Sequence, residues 1–334
     1  MSFLIPQLRA LLNPDQFQGE GKTKRYFEGW YFKVVNEDQS VAFAIIPGVA
    51  MDEEGHKQAF IQVLDGKKQT AHYHKFDFES FISSKKEFCI SIGKNSFTAN
   101  HLELDLPGIS GRLEFTNPAP WPKPWYSPGI MGPFAFVPFM ECYHGIISMD
   151  HSVIGILTIE NQLVDFANGR GYTEKDWGRS FPSAYVWMQS NHFSLPGISV
   201  KASVARIPWV RNSFTGFIAG VWLHERLIRF TTYNKTSLLK LDIDRLKVEL
   251  ELENLQYRLA IIAYREGATG LASPIQGMMD GRIEESMTSR LEILLTDRRT
   301  GKTILNDTGY NTGLEVAGKI SEILLKKVAF RAKY

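Results

Sequence analysis

Two short segments hold residues whose types could do acid–base chemistry on an apolar molecule. In residues 25–32 (RYFEGWYF), Glu28 sits among five aromatic rings. If this segment is extended, Tyr26, Glu28, Trp30 and Phe32 share one face. A carboxylate on such a face must be paired or protonated, because burying a lone charge is costly. An ion pair to Arg25 or Arg179 would make Glu28 structural, whereas a retained proton would make it an acid. In residues 171–182 (GYTEKDWGRSFP), Glu174 and Asp176 share a face of an extended chain, with Lys175 and Arg179 as possible counter-charges. Trp177 and the later Tyr185, Trp187, Gln189 and Asn191 add a run of rings and amides. Aromatic walls carrying a few placed amides and carboxylates suit an oriented apolar ligand.

Among the eight histidines, His144 stands beside Tyr143 in an aromatic region and is the best suited to a polar role in such a site. His72 and His74 have the i, i+2 spacing of one strand face, but no third ligand follows at recognisable spacing. They read as solvent-facing strand residues, and no metal site is expected. A dinucleotide-binding glycine motif, a phosphate loop and a nucleophile elbow are all missing, so no nucleotide cofactor and no serine-hydrolase chemistry is expected.

The elements that would carry these residues are mostly strands. Short apolar or alternating runs cover 29–35, 41–49, 59–64, 72–78, 87–92, 101–105, 111–116, 151–160 and 163–166. They resume at 198–206, 216–223, 227–233, 246–253, 257–264 and 290–296. Residues 246–253 alternate most cleanly, Val248, Leu250 and Leu252 against Lys247, Glu249, Glu251 and Glu253, which is a strand with one wet face. Residues 117–139 interrupt the pattern with seven prolines. Proline lacks the N–H a central ladder needs, so this is a domain linker or an ordered loop over a barrel mouth. Its six Trp, Tyr and Phe residues favour the loop. Helical spacing appears at 314–328, and a short helix is possible at 5–12. Residues 267–281, rich in Gly and Met, read as a surface loop.

The 334 residues exceed what one core usually serves, so two domains are expected. Net charge is +2 with no block of like charge, which gives no electrostatic footprint for nucleic acid. Two scattered cysteines, Cys89 and Cys142, make neither a disulfide framework nor a zinc site and fit a reducing, cytoplasmic location. The opening residues do not read as a signal peptide. No apolar run is long enough for a transmembrane helix, although transient contact with a membrane surface is compatible with the composition.

The string 171–191 (GYTEKDWGRSFPSAYVWMQSN) resembles the signature of the tocopherol cyclase family, a Tyr-x-Glu-Lys-Asn-Trp-Gly core followed by Phe/Leu-Pro-Ser and Trp-x-Gln-x-Asn. Asp176 departs from the common Asn, and Ser190 stands where plant members tend to have Cys. Residues 25–34, 127–155 and 311–318 are similar to the family as well. The resemblance implies two lipocalin-like antiparallel β-barrel domains with few helices. With the strand reading, these would span 1–179, including the 117–139 loop, and 180–334, ending in the C-terminal helix. The resemblance also implies a chemistry. An alkene in a prenylated or otherwise apolar substrate is protonated, and a phenol oxygen (or water, in related hydratases) adds to the cation. Glu28, Glu174 and Asp176 are then the candidate acids. Trp30, Trp177, Tyr185 and Trp187 are candidate cation-facing rings, while His144, Gln189 and Asn191 would orient the substrate. No cofactor is implied. The alternative is a lipocalin-like protein that binds an apolar molecule without turning it over.

Overall fold

The computed structural model describes residues 12–324. Nearly all regular structure is antiparallel strand. β1 (Tyr26–Val35), β2 (Ala42–Met51), β3 (Lys57–Asp65), β4 (Thr70–Phe76), β5 (Phe81–Ser83) and β6 (Cys89–Ile92) are followed by β7 (Asn95–Thr98), β8 (His101–Leu106), β9 (Ile109–Thr116), β10 (Cys142–Ile159), β11 (Gln162–Asp165) and β12 (Gly169–Gly178). These twelve form the first sheet, in the order β4-β3-β2-β1-β12-β10-β9-β8-β7-β6-β5 with β11 paired to β10. The second sheet contains β13 (Ala184–Ser190), β14 (Ser199–Trp209), β15 (Asn212–Leu223), β16 (Arg226–Thr231), β17 (Ser237–Ile243), β18 (Lys247–Glu253), β19 (Tyr257–Tyr264), β20 (Thr269–Ile275), β21 (Met278–Asp297) and β22 (Thr303–Gly318). Its order is β16-β15-β14-β13-β22-β21-β19-β18-β17, with β20 paired to β21. Among the described residues, neither hydrogen-bonded path returns to its own start.

Each sheet curls over its own apolar core. Trp30, Phe32, Val34, Ile45, Phe97 and Leu113 lie in the first core, and Val186, Val204, Val221, Leu250, Ile261 and Ile293 in the second. A third cluster, including Tyr31, Trp121, Tyr172, Tyr185, Trp187 and Met287, lies where the two sheets meet. The strands at this junction are buried on both faces, because alternate side chains point to opposite sides. On β1, Trp30 and Phe32 enter the first core while Tyr31 joins the junction. On β13, Val186 and Met188 enter the second core while Tyr185 and Trp187 join the junction.

Polar bonds tie the sheets together. Lys33 Nζ donates to Gln189 Oε1 at 2.8 Å, Asn191 Nδ2 to the Gly171 carbonyl at 2.8 Å, and Ser199 Oγ to the Met149 carbonyl at 2.6 Å. The loop 117–139 is ordered between the sheets. Trp121 and Ile130 are buried in the junction, and a 3₁₀ turn covers Gly132–Phe136.

Two sequence expectations are corrected. Residues 314–318 are not helical but the end of β22. There Leu314 enters the second core and Glu315 faces the other way, so the pattern is period two, and Gly318 at φ +77 ends it. Ile320 and Ile323 do pack on that core, but from a 3₁₀ turn at Ile320–Glu322, and this coincidence produced the helical spacing. Residues 325–328 lie outside the described residues, as do 5–11. Residues 267–281 are not a plain loop. β20 pairs with β21 as a hairpin, held to the first sheet by the Ala272 N–H donating to Gln62 Oε1 at 2.9 Å.

Glu28 illustrates the cost of burial in the first core. Its carboxylate meets Lys175 Nζ at 2.6 Å, accepts from the Gln18 N–H at 2.9 Å, and is bonded by the Tyr26 hydroxyl. Lys175 in turn lies 4.8 Å from the Trp30 ring centre and 4.7 Å from that of Trp177. Burial raises the Glu28 pKa and lowers that of Lys175, each against its partner's pull. Removing one partner leaves the other charge buried alone. Lys175→Met is therefore expected to lower unfolding free energy by about 3–5 kcal/mol, and adding Glu28→Gln should recover most of it, as read by urea unfolding.

Candidate active site

The junction encloses a cavity of about 180 Å³ whose wall is mostly apolar. Most of the strands that line it contribute from their non-core face. β1 gives Tyr31, β10 gives Cys142 and His144, and β12 gives Glu174 and Asp176. From the second sheet come Tyr185 and Trp187 of β13, Ser203 and Ile207 of β14, Glu285 of β21 and Glu315 of β22. Met131 and Phe134 of the 117–139 loop complete it.

Two carboxyl pairs sit on opposite sheets. On the first, β10 and β12 are neighbours with His144 opposite Asp176. His144 Nδ1 lies 2.7 Å from Asp176 Oδ1, and its Nε2 lies 3.3 Å from Glu174 Oε2. Glu174 also accepts from the Tyr172 hydroxyl and from Trp187 Nε1 at 3.1 Å. Burial is the strongest influence on His144, and it and the Lys201 ammonium oppose the imidazolium; Asp176 and Glu174 together outweigh them and raise the pKa. Burial likewise pushes Glu174 upward, but His144, Lys201 and the Tyr172 bond bring it below the ordinary value. On this side of the site Glu174 leans towards its charged form. Lys201, buried on β14 with Nζ 3.0 Å from Ser203 Oγ, adds a positive charge whose pKa burial lowers against the pull of Glu174 and Asp176.

The other pair is held neutral. Glu285 and Glu315 face each other across neighbouring strands. Each has a tyrosine hydroxyl as hydrogen-bond partner, Tyr31 on Glu285 and Tyr185 on Glu315 at 2.6 Å. Two like charges directly opposite on a ladder repel. Burial raises Glu285 to about 8, and only in part do Tyr31 and Lys33 oppose it. Burial and the neighbouring Glu285 raise Glu315 well above the ordinary carboxyl value. Glu315 keeps some exposure where it lines the cavity.

The structure therefore gathers five of the sequence candidates, Glu174, Asp176, His144, Tyr185 and Trp187, around one cavity. The other five lie elsewhere. Glu28 and Trp30 face the first core on the opposite side of β1 from Tyr31, and Trp177 is on that same side of β12, stacked on Tyr143 at 5.5 Å. The ion pair of Glu28 is with Lys175, not with Arg25 or Arg179. Gln189 and Asn191 are on the junction face but serve the sheets' connection, holding Lys33, Asp150 and the Gly171 carbonyl. Sequence reading missed Tyr31, Glu285, Glu315 and Lys201. Tyr31 and Glu315 carried a signal, since they lie inside the family-like strings 25–34 and 311–318 and Glu315 alternates with Leu314 and Val316.

His144, Glu174 and Asp176 are also the one described group whose ligand atoms could surround a metal ion, all within 4.8 Å of one another. However, His144 offers opposite ring nitrogens to the two carboxylates, and one imidazole gives a metal only one nitrogen. The arrangement fits a doubly ion-paired imidazolium better than a metal centre.

Fold and site define a class: a two-sheet antiparallel β protein with an apolar, carboxyl-bearing cavity between the sheets. More particularly, the chain belongs to the tocopherol cyclase-like family, whose model matches residues 118–318. It is 22% identical to the chloroplastic tocopherol cyclase of Zea mays, over 94% of this chain and 79% of that protein. A probable tocopherol cyclase of Oryza sativa subsp. japonica is equally similar, with 94% and 80% covered. The crystal structure of CghA with Sch210972 shares the fold at TM-score 0.54 and 12% identity, covering 88% of this chain and 89% of that one.

Two titrations check the assignment of charge. In ¹⁵N NMR, His144 should titrate above the ordinary value of about 6.5, while His151, lowered by burial to about 3, stays neutral. The second concerns stability. A carboxyl raised on folding contributes stability that is complete below its unfolded pKa, about 4.3, and is lost as pH rises through the folded value. For Glu285 that window ends near 8. Glu285→Gln should flatten the fall in unfolding free energy across it; an unchanged slope would contradict a neutral Glu285.

Proposed function

We propose that the protein closes a ring on, or hydrates, an alkene in a prenylated or other apolar substrate held in the junction cavity. The observation that carries this reading is the Glu285–Glu315 pair. An acid that protonates an alkene near neutral pH must still hold its proton there, which requires burial and like-charge neighbours rather than cationic partners. Both carboxyls line the cavity, and Glu315 is assigned as the donor because it is the more exposed of the two. Glu285 keeps it protonated, and Tyr185 orients it.

In the reaction, the Glu315 proton goes to one alkene carbon and the π pair becomes the new C–H bond. The other carbon becomes a tertiary cation, and Glu315 becomes a carboxylate. A phenol oxygen of the same molecule then adds to the cation, or a water does. The C–O bond forms from the oxygen lone pair, and the O–H proton returns to Glu315. The product is an isomer of the substrate, or its hydrate. Tyr31, Tyr185 and Trp187 present π faces suited to the cation, and the Glu174 carboxylate lies on the opposite wall. The apolar wall limits competing water.

The architecture supports two lipocalin-like domains, divided near residue 179, because each sheet has a core of its own. Family membership and the likeness to plant cyclases support the chemistry. Among the described residues no helix is long and apolar enough to cross a membrane.

Incubation with cell lipid extract followed by mass spectrometry tests the proposal. A product isomeric with its precursor, or heavier by one water, is expected. Glu315→Gln should retain the precursor while slowing turnover by roughly 10²–10⁴-fold. The wild-type rate should fall as pH rises through the pKa of the acid. Retention of an unchanged molecule, indifferent to Glu315→Gln, would instead favour a lipocalin-like binder.

A further inference from the structure

The rim of the cavity is more apolar than a surface facing only water requires. Residues 117–139 contain one charged side chain, Lys123, and it is already paired with Asp15. In the same stretch Trp125, Tyr126, Phe136 and Phe139 are 77, 62, 44 and 48% exposed. A second segment joins them. β14 and β15 are linked at Val210 and Arg211, with Trp209 paired to Asn212. Such two-residue turns take Asn or Gly, since their central residues need positive φ. Here Val210 adopts φ +49 and is 81% exposed, so neither backbone preference nor solvation explains a valine at the tip.

Through Phe139 and the β14–β15 turn this surface continues into the cavity wall. Trp209 packs on Phe139 at 5.4 Å and on Phe134 at 5.9 Å. Phe134 reaches Phe214 at 6.0 Å and Tyr233 at 6.3 Å. Phe134, Phe214 and Tyr233 line the cavity. The Tyr233 hydroxyl donates to the Ile130 carbonyl at 2.7 Å, and Gly132, at φ +56, lies flat against the Tyr233 ring, where a Cβ would collide. The exposed loop is thus fixed to the cavity wall. Residues 207–213 contain Arg211 and no acid.

We propose that this rim docks on a lipid bilayer bearing anionic headgroups. Exposed Trp and Tyr have an apolar body and a polar edge, which is the character of residues at a membrane interface. Apolar side chains on a fixed loop and a hairpin tip enter the headgroup region, and Arg211, with no acidic neighbour on its turn, faces the anionic phosphates. Continuity of the rim with the cavity then gives an apolar molecule a path from bilayer to site without crossing water. That last consequence rests on the reading of the cavity as a ligand site; docking itself does not.

Co-sedimentation of the full chain with phosphatidylcholine vesicles, with and without phosphatidylglycerol, tests this. The wild type should bind, and more strongly to the anionic vesicles. Replacing Trp125, Phe136, Phe139 and Val210 together by Ser should lower the partition coefficient by about tenfold or more. A control pair outside the rim, Ile82→Ser with Leu163→Ser, removes side chains that are 67 and 76% exposed and should leave binding unchanged. Arg211→Ser should weaken binding to anionic vesicles only. Matched unfolding midpoints show that each variant is folded. Glu315→Gln should bind vesicles as the wild type does, so failure of the acid assignment and failure of docking are separable. The proposal is overturned if the wild type does not bind vesicles, or if the control pair loses as much binding as the rim variant. It is overturned equally if the wild type is a dimer that the rim substitutions dissociate, which would make a second copy the occupant.

Discussion

A strand buried on both sides must satisfy two environments with one sequence, and the junction of this protein is built from such strands. On β1, β13, β14 and β22, one set of alternate residues packs a core. The other set faces the opposite sheet. With β10, β12 and β21, the second set brings to the cavity four carboxyls, an imidazole and several hydroxyl-bearing rings. Polar bonds at the edges of the junction, such as Lys33 to Gln189 and Asn191 to the Gly171 carbonyl, hold the sheets at a separation that leaves this space open.

Electrostatics then divides the cavity. Four acidic side chains in one buried space cannot all be ionised without a large cost. The structure resolves this by position. On the sheet that carries His144, the imidazole touches both Glu174 and Asp176 and favours the charged form of Glu174. Lys201 reaches the same group from the other sheet through space. Glu285 and Glu315 receive tyrosine hydroxyls instead of cations and lean towards the neutral form. A ligand between the walls meets carboxyls that lean towards the neutral form on one side and an ion-paired carboxylate group on the other.

The alternation that organises the strands was legible in the sequence, and so were the family and most of the first sheet's contribution to the site. What alternation does not say is which face looks where. Glu28 and Trp30 were grouped correctly with each other, yet their face turns into the first core, whereas the neighbouring Tyr31, one residue out of phase, reaches the cavity. Trp177 was misplaced by the same phase error relative to Glu174 and Asp176. Glu285 and Lys201 come from strands that meet the site only through sheet-to-sheet packing, which no local pattern records. Glu315 was hidden by a helical spacing produced by Ile320, Ile323 and Leu324 packing on the second core from a different backbone.

The separation between core-facing and cavity-facing positions has a consequence for descent. Cavity residues such as Ser203 and Ile218 alternate with residues that hold the second core, so they can be exchanged without repacking it. A lineage can therefore alter the shape and polarity of the space one side chain at a time while the two sheets persist. Shared architecture with little residue identity is what such a scaffold leaves behind, and its members can diverge in what they accept long before they diverge in how they fold.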